Sequence, residues 1–415
     1  MRSVGLITEY NPFHNGHLHH LCASVATTDA EVSVAVMSGH FLQRGEPALV
    51  DKWVRTKMAL AAGVDLIVEL PLPWACSSAP DFARGAVQAL NTLGGIDSLC
   101  FGSETGDLKE LADCVDLLGN HQRQIAAATA KLLRAGQNYP AARAQVIGRL
   151  MPQGAETLST PNNILGIEYL RALQQTASFI KPATIQRRGS GFHDMHIDET
   201  GIASATGIRA RLAAGKAVAH LIPSDVQPLL HRALEAGGIF IEDKYFTLLL
   251  ARIFSEAQDL NRFWLVENGI ENRLLAAAEE AQDLDDLINR TKSRQLTRTR
   301  IQRMLVAIFL GMEQETTRSL LAAEPRYLHL LGASRRGMTF LASQRKKRLV
   351  PLIQNFSGIY PRLKRFHGSG SQSYQQAEAQ LNLELCATRL YRLLMGSWSE
   401  RSRNLDFFTP LLTKD

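Results

Sequence analysis

The opening eighteen residues constrain this chain more than any other stretch. Val4-Gly5-Leu6-Ile7-Thr8 is a short continuous apolar run, Glu9 to Phe13 breaks it, and a helical pattern begins around His14-Asn15-Gly16-His17-Leu18. A strand that turns tightly into a helix delivers backbone N–H groups and a helix N-terminus to one place, which is a ready anion site. Gly16 lets a phosphate approach the backbone where a Cβ would obstruct it. His14 and His17, flanking that glycine, add hydrogen-bond donors that a backbone cradle lacks, so they are the candidate catalytic residues. A His-x-Gly-His standing alone also fits two surface histidines in a turn. Its position at the first strand-to-helix turn, where open α/β sheets bind ligands, favours the functional reading.

The pattern continues as alternating strands and helices. Val4–Thr8, Val32–Met37, Leu66–Glu69, Ser98–Phe101 and Ala183–Arg187 are short apolar runs of the kind buried on both faces of a parallel sheet. Helical patterns lie between them at His17–Val25, Asp51–Ala62, Pro80–Leu93, Leu108–Leu118 and Ile164–Gln174. The expected fold is α/β, a Rossmann-like domain with a parallel sheet over residues 1–215, carrying a helical insertion around 119–160. Residues 216–415 show almost no strand alternation and predict a mostly α-helical C-terminal region, with helices such as Tyr245–Phe254, Thr297–Leu310 and Gln376–Leu394.

Composition narrows the class. The 415 residues are 45% hydrophobic and 21% charged, enough apolar content for two or three packed units. No apolar run approaches the ~20 residues of a membrane span, and the chain opens directly on a strand with no room for a signal peptide. The five cysteines are odd in number, scattered and never Cys-x-x-Cys. A cytoplasmic protein with reduced thiols is therefore expected, without a zinc site or disulfide framework. The net charge of +6 conceals an asymmetry: residues 290–365 hold 17 Lys+Arg against three Glu, so the remainder is acidic. One arginine-bearing helix reads as a solvated face; this concentration points to a polyanion bound at one place. The cations expected to meet its phosphates are Arg294, Arg298, Arg300, Arg303, Arg345, Lys346 and Lys347, the first four on a helix expected over Arg290–Arg303.

A second motif, Ile202-Ala203-Ser204-Ala205-Thr206-Gly207-Ile208-Arg209, follows the α/β region. Ser204 or Thr206 can cap the next helix, whose free N–H groups suit the β- and γ-phosphates of a nucleotide. Arg209, one turn in, can add charge-assisted hydrogen bonds to a leaving pyrophosphate. An ordinary capped helix with a solvated arginine would look the same in isolation.

Together the two motifs resemble those of the HIGH-superfamily nucleotidyltransferases. The surrounding blocks resemble one family in it, the bacterial tRNA(Met) cytidine acetate ligases: Glu9 to His17, Met37-Ser38-Gly39, Gln43-Arg44-Gly45-Glu46-Pro47-Ala48, Asp51-Lys52-Trp53, Phe101-Gly102-Ser103-Glu104 and Asn162 to Tyr169. The likeness is dense over the first ~210 residues and thinner at Leu296 to Arg303 and Leu331-Gly332-Ala333. It implies an enzyme that activates acetate with ATP as acetyl-adenylate, releases pyrophosphate, and acetylates N4 of the wobble cytidine in elongator tRNA(Met). It implies that ATP is held by Ile7, Thr8, Glu9, Tyr10, Asn11, Pro12, Phe13, His14, Asn15, Gly16, His17, Leu18, His19 and His20, with Gly102, Asn162, Arg187 and Arg188. His19 and His20 read as helix-face residues rather than catalysts. Mg²⁺ is expected to accompany ATP, although no Asp/Glu cluster names its ligands. The loop Gly39 to Gly45, with His40, Gln43 and Arg44, follows the second strand and reads equally as a substrate-facing or a packing loop. Two alternatives remain at this stage: a small-molecule adenylyltransferase, which leaves the basic second half without a role, and an RNA-binding protein that holds ATP without catalysis.

Overall fold

A computed structural model describes residues 1–137, 139–150, 156–187, 203–267, 269–293, 296–399 and 401–414. Five parallel strands run close to the sequence expectation: β1 Ser3–Thr8, β2 Val32–Ser38, β3 Leu66–Leu70, β4 Ser98–Ser103 and β5 Lys181–Gln186. Their order is β5-β4-β1-β2-β3, so the chain reverses its direction of winding between β1 and β4. Alternate residues explain the continuous apolar runs. Val32, Val34, Val36, Leu66 and Val68 pack against helices Ala79–Leu93 and Pro161–Gln175. Ala35, Met37 and Ile67 pack on the other side with residues of helices Asn15–Thr28 and Lys52–Ala61. Both faces are covered, as parallel sheets require.

The second half is mostly helical, yet three of its segments join the same sheet. β6 (Leu328–Ser334) runs antiparallel to β3, with β7 (Leu352–Ile353) and β8 (Leu412–Lys414) parallel to β6. The expectation of almost no strand there is thus corrected. Leu328-His329-Leu330-Leu331-Gly332-Ala333 is an apolar run like the first five, six residues fully within the interior, set inside the most basic part of the chain. The helix expected over Arg290–Arg303 is two helices, Leu284–Thr291 and Arg298–Leu310. Lys292 is extended and ends the first, and the Thr297 hydroxyl accepts from the Arg300 N–H to start the second. Helices Leu108–Asn120, Gln122–Arg134 and Tyr139–Leu150 follow β4. No helix among the described residues is long and apolar enough to cross a membrane.

The long helix Gln372–Leu393 is bolted to the N-terminal half beside the loop after β2. Tyr391 Oη donates to the Ala48 carbonyl at 2.8 Å, and Arg392 pairs with Asp51 at 2.8 Å. Further on, Asp406 meets Lys52 Nζ at 2.7 Å inside the protein.

Candidate active site

The turn after β1 folds around its own side chains. His14 is the N-cap of helix Asn15–Thr28; its Nδ1 accepts from the Gly16 N–H at 3.0 Å, and His17 Nδ1 accepts from the His14 N–H at 3.3 Å. This reciprocal cap does for two histidines what a Ser/Glu capping box does. Its chemical consequence is specific. A neutral imidazole that accepts at Nδ1 carries its proton at Nε2, so each ring keeps one N–H donor in a fixed tautomer. The rings lie 3.8 Å apart between centroids. Burial, reinforced by Arg187 and Arg209, lowers the His14 pKa to about 3. Burial also carries His17 well below its usual value, with His14 and Arg187 adding to the effect. Both rings are therefore neutral donors at physiological pH.

They open on a cavity of about 490 Å³ at the carboxyl ends of β1 and β4, the switch point of the sheet. Of the residues expected to hold nucleotide, Ile7, Thr8, Glu9, Tyr10, Asn11, His14, Gly16, His17, His19, His20, Gly102, Asn162, Arg187, Ser204, Thr206 and Arg209 line it. Residues some 190 apart in sequence thus converge. Phe13 is buried in the core beneath, tilted against Tyr10 and His17. Asn15 turns to the His220 carbonyl at 3.0 Å, and Leu18 packs on the sheet's inner layer. Pro12 does not line the cavity. Arg188 lies outside the described residues.

Each wall has a structural reason. Glu104, at the end of β4, accepts from the backbone N–H groups of Asn162 and Asn163 at 3.1 and 2.7 Å and from Asn162 Nδ2 at 2.7 Å, capping helix Pro161–Gln175. Ser204 caps helix Ala205–Ala213 by accepting from the Gly207 N–H at 3.0 Å, which leaves the N–H groups of Ala205 and Thr206 without intrahelical partners. Arg209 donates to the Asn11 carbonyl at 3.0 Å and pairs with Glu46 at 2.9 Å. Burial presses the Arg187 pKa down, and the charge of the Glu104 carboxylate offsets this only in part. A bound polyanion would supply what that guanidinium lacks.

Several residues that sequence reasoning did not assign complete the site. Arg55 is fully buried and donates to the carbonyls of Glu9 (2.7 Å), Ser38 (2.9 Å), Gly39 and Val50 (3.2 Å), fastening the ends of β1 and β2 to the loop between Gly39 and Asp51. In that loop Gln43, Arg44 and Glu46 line the cavity, while His40 is buried and stacked on Tyr391 at 4.4 Å. Glu9 accepts from the Gln43 N–H at 2.8 Å, and burial, with Glu46 adding to it, raises its pKa. The one available signal was the Gln43-Arg44-Gly45-Glu46 block. The Glu46–Arg209 pairing spans 163 residues and has no local signature.

The basic candidates separate. Arg303, with Thr299, lines the cavity itself and donates to the Gln43 carbonyl at 3.3 Å. A Cβ on Gly45 would lie 2.2 Å from the Arg303 backbone nitrogen, and Gly45 has φ +81°, so only glycine lets this loop meet that helix. Arg298 pairs with Asp285 and Arg300 with Glu267. Arg345, Lys346 and Lys347 are exposed at the opposite edge of the sheet, where the Lys347 carbonyl abuts Gly94 just ahead of β4. Arg294 lies outside the described residues.

Among the described residues, the carboxylates lining the cavity are Glu9, buried and hydrogen-bonded, and Glu46, held by Arg209. Among the described residues the cluster of three potential ligands is Glu69, His329 and Asp406, and the Lys52 ammonium already bonds both of those carboxylates.

An open sheet with a histidine-capped anion site at its switch point defines a nucleotidyltransferase of the HIGH type. The chain matches the HIGH Nucleotidyl Transferase family over residues 1–406. It is 54% identical to the tRNA(Met) cytidine acetate ligase of Syntrophotalea carbinolica, covering 98% of both chains, and 39% identical to that of Lysinibacillus sphaericus, covering 99% of both. Its structure superimposes on Thermotoga maritima TmcAL bound with alpha-thio ATP at TM-score 0.89, with 28% identity over the full length of both chains. This protein belongs to the tRNA(Met) cytidine acetate ligase family.

Proposed function

We propose that the chain activates acetate with ATP and transfers the acetyl group to N4 of the wobble cytidine of elongator tRNA(Met), in the bacterial cytoplasm. The observation that carries the chemistry is the reciprocal cap, which presents two neutral Nε2–H donors in one cavity with Arg187 and Arg209. In the first step an acetate oxygen attacks the α-phosphorus, the bond to the bridging oxygen of pyrophosphate breaks, and acetyl-adenylate remains. Negative charge grows on the non-bridging α-oxygens, and His14 and His17 can donate to it there. No proton has to move at that stage, which suits donors that are already neutral. Arg209 and the free N–H groups of Ala205 and Thr206 suit the departing pyrophosphate. The exchange of its Glu46 partner for phosphate oxygens keeps the guanidinium paired throughout. In the second step the cytidine N4 attacks the acetyl carbonyl, AMP leaves with the electron pair, and N4 loses one proton. Positioning and charge stabilisation supply this catalysis without a covalent enzyme intermediate.

The relatives' names, the ATP-analogue complex of the structural neighbour and the cavity support this reading. The test is acetate-dependent exchange of labelled pyrophosphate into ATP. Wild-type exchange that requires acetate, reduced about 10²–10³-fold in His17→Ala, agrees with the assignment. Exchange that persists at the wild-type rate in that variant contradicts it. Exchange that needs a phosphorylated small molecule in place of acetate would return the chain to the metabolic adenylyltransferases.

A further inference from the structure

The basic residues between 290 and 365 do not make one surface. Arg290, Arg298, Arg300 and Arg336 each pair with an acid from an earlier stretch of the chain, and Arg303 turns into the cavity. Arg345, Lys346 and Lys347 sit at the amino edge of the sheet, away from the cavity. Helix Ile359–His367 carries three more of these cations. It buries Ile359 and Leu363 against Ala377 and Leu381, and turns Tyr360, Arg362, Lys364, Arg365 and Phe366 to solvent. Its three cations have no acidic partner among the described residues, and Tyr360 and Phe366 are 43% and 53% exposed.

The position of this helix follows from its neighbours. His367 Nε2 donates to the Arg326 carbonyl at 2.9 Å, and Arg326 stands two residues before β6. The start of β6 lies beside the carboxyl end of β3, His329 opposite Glu69. The helix therefore occupies the cavity's edge of the sheet, beyond strands β2, β3 and β6. β1 and β6 are three strand spacings apart, roughly 14 Å. A second segment reaches the same cluster. Phe407 packs against it, and next to it Phe408, 53% exposed, lies under the Arg401 guanidinium at 5.2 Å.

Unpaired cations among exposed aromatic rings suit unpaired nucleotides, whose bases stack on the rings while the cations follow the phosphates. A protein partner fits less well, because the core of a protein–protein interface is depleted in charge. We propose that helix Ile359–His367, with Phe408, is the docking surface for the unpaired loop of the RNA substrate, and that Arg345, Lys346 and Lys347 are not. This rests on the tRNA reading above and specifies where on the protein the RNA is held.

The test is binding of fluorescently labelled tRNA, and of a labelled RNA duplex without a loop, measured by anisotropy across a salt series. Removing three phosphate contacts in Arg362→Ala/Lys364→Ala/Arg365→Ala should weaken tRNA binding roughly 10- to 50-fold near 0.15 M salt and lower the log–log salt slope by about 2. Tyr360→Ala/Phe366→Ala should weaken tRNA about tenfold while leaving the weaker duplex binding in place. Arg345→Ala/Lys346→Ala/Lys347→Ala removes the same charge at the other edge and should leave the tRNA affinity nearly intact. Equal losses from the two charge triples, or no loss from the first and from the aromatic pair, overturn the assignment. A wild-type protein that binds no tRNA overturns the function proposed above instead.

Discussion

Lys52 is the residue whose removal tests the architecture most severely. Its side chain is wholly inaccessible, and Nζ donates to Glu69 Oε1 at 2.9 Å, Glu69 Oε2 at 2.8 Å and Asp406 Oδ1 at 2.7 Å. Burial opposes its charge, but Asp406 and then Glu69 hold it protonated, while the same ammonium holds Glu69 down at about 2 despite burial. Lys52→Met keeps the length of the side chain and leaves two buried carboxylates without their cation. Breaking a buried pair in this way costs about 3–5 kcal/mol. At about 2.1 cal/mol/K per residue, a chain of 415 residues unfolds with an entropy near 0.9 kcal/mol/K, so the loss should lower Tm by about 3–6 °C. Because Asp406 is the far partner, the C-terminal segment should also loosen, and limited proteolysis should cut after residue 395 sooner than in wild type. The triple change Lys52→Met/Glu69→Gln/Asp406→Asn removes the ammonium together with both carboxylates that it bonds, and should recover most of the lost stability. Scanning calorimetry with wild type, single and triple variants measures all three. A single variant that melts within about 1 °C of wild type would refute the reasoning.

Two further outcomes follow from the site. His14 and His20 are held at about 3 and about 4, by burial first and then by neighbouring cations led by Arg187, so the folded protein binds fewer protons than the unfolded chain below the usual value of 6.5. Stability is therefore lost as pH falls through 6.5, by about 1.6 kcal/mol per histidine between pH 6.5 and 5; urea midpoints that stay constant from pH 7 to 5 would contradict this. Arg209→Gln removes the contacts to Glu46 and Asn11 and the cation proposed for pyrophosphate, and kcat/KM for ATP in the exchange assay should fall about 10- to 100-fold. An unchanged value would place the triphosphate elsewhere.

The parallel strands and the first catalytic turn were legible because their signals are local. Val32 to Met37 is apolar but for Ser33 since both of its faces are covered, and His14 and His17 cap the helix that they themselves begin. β6 was missed because its apolar run is embedded among cations, and charge density drew attention from hydrophobic pattern. The local charge count misled for a related reason. Glu267, Asp285 and Asp286 lie just upstream of the basic stretch and fold back onto Arg300, Arg298 and Arg290, which a window along the sequence does not see. Arg55 and Glu46 were illegible because their partners, the carbonyls of Glu9 and Ser38 and the Arg209 guanidinium, come together only when the sheet closes.

The most direct test of the central claim is acetylation by the purified protein given ATP, radiolabelled acetate and bulk bacterial tRNA, followed by nucleoside analysis. The account predicts label in N4-acetylcytidine that requires ATP and disappears in His17→Ala. Pyrophosphate release with no label in RNA, or label that survives the loss of His17, would contradict it.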